Sequence, residues 1–374
     1  MSTSGNVKPH ILHIFESSLH DKTGHCYSHI DSLIQADSDK QWQFHVWGGK
    51  NAANLFDGCE NVLMHPVFSP AWRRMQEFFV FRKLLHLPGQ VYLPTATRTH
   101  LLLLHWATRR RIPPSKFHLF FHWLRLSPSK RRFLQKISAA RPELHVLAPT
   151  EGVAGQLKQC GFTGAKVLPY PITPVSSCGA EVQQDFSHLL FAGAARSDKG
   201  FGLVVDIVAE LQRRQDGTPI KIQTSPPHKG THEQSVASDI ERLRQISYPH
   251  LVEYNETLDE TQYMQMFQGA ISLQVYDPVE YASERISGVT LDALSNGAPL
   301  IATADTWIGR IVDEHGAGVC VPSPDIEKTL AAVAEVRDNF TDYARRAMDA
   351  GKALQEQNSA GNILKYLRSP MPGA

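Results

Sequence analysis

Short, mostly apolar runs alternate with helix-length segments along the whole chain, and the alternation occurs in two blocks. In the first block the runs are residues 11–15, 42–47, 91–93, 117–121, 145–148 and 166–168. In the second they are 188–191, 220–223, 251–254, 271–275, 300–303 and 319–321. Strands of this kind are buried on both faces, which requires parallel pairing with helices covering each side. Helices are expected over about 26–36 and 99–110 in the first block. In the second they are expected over 201–214, 238–246, 261–268, 288–295, 326–339 and 340–367. In 201–214 the residues Leu203, Val204, Ile207, Val208 and Leu211 share one face. Between the blocks, residues 172–184 are rich in Pro, Ser and Gly and lack periodicity, as an interdomain linker does. The expected fold class is therefore α/β, with two doubly wound parallel-sheet domains over 1–175 and 185–354. A C-terminal helix over about 355–374 is expected to pack back on the first domain. A chain of 374 residues has room for two such domains.

Hydrophobic content of 42% and charged content of 20% belong to a globular protein. No apolar stretch approaches the roughly 20 residues that span a bilayer. The first ten residues are polar and carry no leader pattern. The five cysteines are scattered, with no CxxC pair and no zinc-ligand spacing. These features suit a cytoplasmic setting and no bound metal. The net charge of +1 conceals an asymmetry. Residues 1–172 carry 21 Lys and Arg against 10 Asp and Glu, and the remainder carries 17 against 27. Across 70–136 there are 14 basic residues and one acid, Glu77, interleaved with Trp72, Phe78, Phe79, Phe81, Trp106, Phe120, Phe121, Trp123 and Phe133. Such a mixture suits an anionic membrane surface or a polyanion, against the plainer reading of a solvated face. No nucleic-acid-binding motif is present, so nucleic acid is not an expected partner.

Open parallel sheets bind ligands beyond the carboxyl ends of their strands. After 188–191 the chain reads Ala192-Gly193-Ala194-Ala195-Arg196-Ser197-Asp198-Lys199-Gly200 and enters a helix. Gly193 permits a tight turn, Gly200 opens the helix, and Arg196 and Lys199 stand beside a helix N-terminus that favours anions. This is chemistry for a diphosphate, against a surface loop with incidental basic residues. After 271–275, Ser287 can cap a helix and Gly288 permits close backbone approach, so the amides of Gly288, Val289 and Thr290 face the crevice. Glu284 precedes that helix and Asp292 lies about one turn inside it. Carboxylates accept hydrogen bonds from vicinal hydroxyls, so one suits a ribose and the other a donor sugar. The plainer alternative is a surface charge and a residue satisfying the helix dipole. His122 ends the 117–121 run.

Gly193 with Lys199-Gly200, the spacing from Glu284 to Asp292, the helix end Asn296-Gly297-Ala298-Pro299 and the 300–303 run resemble retaining glycosyltransferase family 4, of the GT-B fold. Residues 167–171 resemble its interdomain hinge. The resemblance implies two Rossmann-like domains facing a cleft, with the donor on the C-terminal domain and the acceptor on the N-terminal one. It implies that Lys199 contacts the donor diphosphate, Asp292 the ribose and Glu284 the transferred sugar. It further implies that Gly24 approaches the phosphates and that His122 lies by the reacting sugar. The donor would be a UDP- or GDP-linked sugar, used without metal or other cofactor. The acceptor would be a glycan or lipid-linked sugar in bacterial surface polysaccharide synthesis, reached from the inner face of the membrane. The chain departs from the family pattern at several positions. The second acid is Asp292 rather than Glu, Ala194 stands where Arg is common, and Arg196 is the suggested substitute. Arg285-Ile286-Ser287 replaces Gly-Phe-Gly, Thr306-Trp307 replaces two glycines, Arg310 stands where an acid is expected, and Gly24 is followed by His25. A nucleotide-sugar epimerase, a phosphorylase or a non-catalytic GT-B-derived binding protein are the alternatives.

Overall fold

The structure, a computed structural model, describes residues 9–369 apart from 23, 109–111, 125, 172–184, 227–230, 257 and 282–284. The segment read as a linker, 172–184, thus lies outside the described residues. By its contacts the chain divides into two compact units, Met1–Pro174 with Gln357–Ala374, and Val175–Glu356.

The first unit holds strands β1 (His10–Phe15), β2 (Trp42–Gly49), β3 (Val62–Phe68), β4 (Gln90–Leu93), β5 (Phe117–Phe120), β6 (His145–Ala148) and β7 (Lys166–Val167). All pair in parallel, in the order β3-β2-β1-β4-β5-β6-β7. The sequence reading has no strand at β3, because Pro66 interrupts the run. The structure places β3 at the sheet edge, where a missing N–H leaves no ladder bond unmade. One face of the sheet is covered by helices Arg73–Leu84, Arg98–Ala107, Pro128–Ala140 and Glu151–Gln159, which bury Phe81, Leu101, Leu104, Leu134 and Leu157 against Phe15, Phe117 and Val146. The hydroxyls of Thr97, Ser127 and Thr150 cap the last three of these helices. The other face packs Leu12, Ile14, Phe44 and Val46 against Ile30 and Leu33 of helix Gly24–Gln35 and against Ile363, Leu364 and Leu367 of the chain's last helix, Ala360–Arg368.

The second unit holds β8 (His188–Phe191), β9 (Ile220–Gln223), β10 (Leu251–Tyr254), β11 (Ala270–Gln274), β12 (Leu300–Thr303) and β13 (Gly318–Val321). They too are all parallel, in the order β10-β9-β8-β11-β12-β13. Helix Phe201–Arg214 presents Val204, Ile207, Val208 and Leu211 to this sheet's core. Helix Trp307–His315 is capped by the Thr306 hydroxyl, 3.0 Å from the Gly309 amide, so one of the departures from the glycine pair has a structural use. The winding reverses between β8 and β11, and the loops leaving these two strands lie side by side.

Candidate functional site

The loop after β8 is held by two glycines. Gly193 has φ +81, and a β-carbon there would come within 2.9 Å of Lys199 Nζ and 3.0 Å of Val289 Cγ2. Its amide donates to Gln223 Oε1 at 2.7 Å. Gly200 has φ +71, with the Val275 carbonyl 2.2 Å from any β-carbon. Both positions exclude side chains on conformational and steric grounds. Between them Ser197–Lys199 forms a single 3₁₀ turn that folds Lys199 inward until it is 8% exposed. Lys199 Nζ sits 5.7 Å from the centre of the Tyr276 ring. Burial, with the Arg196 guanidinium second, pushes the amine down to about 8. The Asp198 carboxylate joins the loops after β8 and β11, accepting from Arg196 and, at 2.9 Å, from Arg285 Nη1. Arg285 also lies over the Tyr281 ring, 4.9 Å from its centre.

Beyond β11, helix Gly288–Ser295 begins with Ser287 in the cap position. Its hydroxyl makes no capping bond, contrary to the expectation from sequence. Thr290 is engaged within the unit: its amide donates to the Ser287 carbonyl at 3.1 Å and its hydroxyl to Gln274 Oε1 at 2.5 Å. The first-turn amides of Gly288 and Val289 remain the ones that helix geometry leaves without intrahelical partners. A β-carbon on Gly288 would meet nothing within 4 Å, so nothing in the packing requires glycine there. Asp292 is half-buried and accepts from the Tyr263 hydroxyl at 3.0 Å. Burial and the Asp292 charge raise the Tyr263 phenol well above its ordinary range. Glu284 lies outside the described residues.

In the first unit, Gly24 opens helix Gly24–Gln35 rather than lying in the loop before it. His122 follows β5, and its Nε2 donates to the Pro94 carbonyl at 2.7 Å. A carbonyl only accepts, so this bond keeps the proton on Nε2. The ring packs edge-on against Tyr170 and Phe120, with centroids 4.9 Å and 5.4 Å away. At the end of β1, the buried Glu16 carboxylate accepts from the Ser18 amide at 3.0 Å and from the Thr95 hydroxyl.

The structure therefore brings Gly193, Arg196, Lys199 and Val289 together in the second unit. It adds Arg285, Asp198, Tyr263 and Tyr276, which reasoning from sequence did not select. Arg285 is separated from Asp198 by 87 positions, and no local pattern announces that pairing. Among the described residues, no group of three or more His, Cys, Asp or Glu side chains is arranged to hold a metal ion. Among them, too, no helix is long and apolar enough to cross a membrane.

Two units with this winding, each a Rossmann-like parallel sheet, define the GT-B class of fold. No family model and no curated protein matches the sequence. Solved structures do match the fold. A glycosyltransferase from Rickettsia africae superposes with a TM-score of 0.71 at 12% identity, covering 98% of this chain and 100% of that one. Sucrose-phosphate synthase from Thermosynechococcus elongatus gives 0.68 at 12% identity, covering 96% and 98%. HepE from Anabaena, solved in complex with UDP, gives 0.63 at 14% identity, covering 96% and 98%. At these identities the likeness establishes the fold.

Proposed function

We propose that this protein is a retaining glycosyltransferase that moves a sugar from a nucleoside-diphosphate donor to an acceptor hydroxyl. The observation that carries this reading is the cationic constellation where the second sheet reverses its winding. Lys199, Arg196 and Arg285 gather there beside the first-turn amides of helix Gly288–Ser295. Leaving-group charge is the main thing such a reaction must stabilise, and these groups would do so without a metal. Asp292, oriented by Tyr263, is the assigned ribose acceptor, and Glu284 is assigned to the transferred sugar. The acceptor oxygen forms its bond to the anomeric carbon on the face from which the diphosphate departs. The acceptor proton passes to the leaving phosphate oxygen. His122, with its proton fixed on Nε2, is the first unit's candidate for contact with the reacting sugar. HepE, of the same fold, was solved with UDP, which supports a uridine or related nucleotide as the first donor to try.

The acceptor assigned to the first unit is a glycan or lipid-linked sugar at an anionic membrane surface. Its support is the face of helix Arg73–Leu84 and its surroundings that leaves Trp72, Met75 and Phe79 exposed among basic residues. A thermal-shift panel of UDP-, GDP-, ADP- and TDP-sugars, followed by donor hydrolysis without acceptor, tests the reading. Stabilisation by one nucleotide class with slow hydrolysis is expected. Binding without hydrolysis or transfer would favour a non-catalytic GT-B-derived protein, and interconversion of the free nucleotide-sugar would favour an epimerase.

A further inference from the structure

Asp198 plays no part in the transferase reading, yet it sits at the centre of the cationic site. Its carboxylate is 17% exposed, and one oxygen, Oδ2, accepts from both Arg196 and Arg285. The other oxygen, Oδ1, is buried and has no hydrogen-bond partner among the described residues. A carboxylate built only to brace two loops would be expected to use both oxygens, because a buried acceptor left unmade is costly. The charges of Arg196 and Arg285 both act to hold the Lys199 amine down, while those of Asp198 and Asp292 act the other way.

We propose that Asp198 is an internal counter-ion that holds Arg196 and Arg285 in the empty protein and yields them to the diphosphate of an arriving nucleotide. This inference rests on the nucleotide-sugar reading and assigns a regulator of affinity to that same site. Asp198 stands in a single turn two residues from Arg196, so rotation of one side chain releases the pair while its backbone carbonyl keeps the Asp277 amide at 3.0 Å. A diphosphate offers oxygens to both guanidiniums at once, whereas an uncharged nucleoside offers none. Asp198 thus weakens diphosphate binding by competing for its ligands and sharpens the distinction between charged and uncharged occupants.

The test is titration calorimetry of wild type, Asp198→Asn and Arg285→Gln with UDP, GDP, ADP and TDP, and with the matching uncharged nucleosides, at low and high salt. Asn keeps the size and one acceptor of Asp but removes the competing charge. The preferred nucleoside diphosphate is expected to bind Asp198→Asn about fivefold more tightly at low salt, with the gain shrinking at high salt and absent for the nucleoside. Arg285→Gln is expected to bind it at least about fivefold more weakly. Equal or weaker binding by Asp198→Asn with an unchanged melting temperature overturns the proposal and makes Asp198 a brace. If Asp198→Asn melts early, Arg285→Gln decides: wild-type affinity there overturns the proposal, and weakened affinity for the diphosphate but not the nucleoside supports it. If neither wild type nor Asp198→Asn binds any nucleoside diphosphate, the nucleotide-sugar reading fails as well. If wild type binds and the Asn variant gains nothing, only the counter-ion role fails.

Discussion

A buried lysine whose amine titrates at about 8 is a pH-dependent ligand site, and the sign of the dependence follows from the cause. Burial and the Arg196 charge disfavour the protonated form of Lys199, and a bound diphosphate would restore it. Nucleoside diphosphate affinity is therefore expected to hold steady below pH 8 and to fall as pH rises through about 8, by up to about tenfold per unit. Lys199→Met should flatten that profile, and transfer should drop on the order of 10²-fold because a charge facing the leaving group is gone. A steep profile surviving in Lys199→Met would place the titrating group elsewhere. At the carboxylates, Asp292→Asn is expected to weaken the free nucleoside diphosphate, whereas Glu284→Gln should mainly lower turnover with the full donor. Equal nucleotide binding by wild type and Asp292→Asn would remove Asp292 from the ribose. Lys199 and Gly193 could be picked out in the sequence because a glycine-punctuated loop after an apolar run has a readable geometry. Arg285, Asp198 and Tyr263 could not. Each acts through a partner from another loop or helix, and single-sequence spacing carries no signal of that contact.

At the scale of elements, the helix beginning at Gly288 makes the sharpest test of where a ligand approaches. Its first residue is exposed, and an added β-carbon would meet no protein atom within 4 Å. Gly288→Leu should therefore leave the melting temperature nearly unchanged, since the packed core is untouched and surface substitutions usually change stability by no more than about 0.5 kcal/mol. The same leucine would occupy the space in front of the Gly288 and Val289 amides, so nucleotide binding should fall below detection in a thermal-shift assay. Retained binding would move the phosphates off this helix. Elements that sequence reasoning overlooked have specific causes. The β3 run is broken by Pro66, which only an edge strand accommodates. Helix Arg73–Leu84 has no apolar stripe to read, because apolar Met75 and Phe79 face solvent while the acid Glu77 is wholly buried. Periodicity identifies a helix when its outer face is polar, and this one breaks that condition.

On the molecule as a whole, the charge asymmetry between the two halves acquires a surface. Between residues 70 and 136 the one acid, Glu77, is 0% exposed and accepts from Ser17 Oγ at 2.7 Å and Arg74 Nη1 at 2.9 Å, so it places no negative charge on the outside. Burial would raise its carboxyl, but His100, Ser17 and Arg74 outweigh that and hold it at about 2. Trp72, Met75 and Phe79 are 62%, 50% and 59% exposed, and with exposed Arg82 they follow a three-four-three spacing that aligns them along one helix face. Trp106 and Trp123, in the same unit, are also more than half exposed. Exposed aromatics beside basic residues fit the headgroup region of an anionic bilayer, where rings insert and each Lys or Arg contributes about 1 kcal/mol. Arg73 and Arg74 are tied to Glu77 and are poor choices for a test, since replacing them also disturbs a buried carboxylate. Replacing Trp72, Phe79, Arg82 and Lys83 with Ser should instead abolish co-sedimentation with vesicles of 40% anionic lipid at low salt. Transfer to a short water-soluble acceptor should stay close to wild type. Wild-type binding should fade at high salt, as attraction confined to about a Debye length requires, and should be absent on neutral vesicles. Equal binding to neutral and anionic vesicles, or binding that survives the fourfold replacement, would rule out this face as the membrane contact.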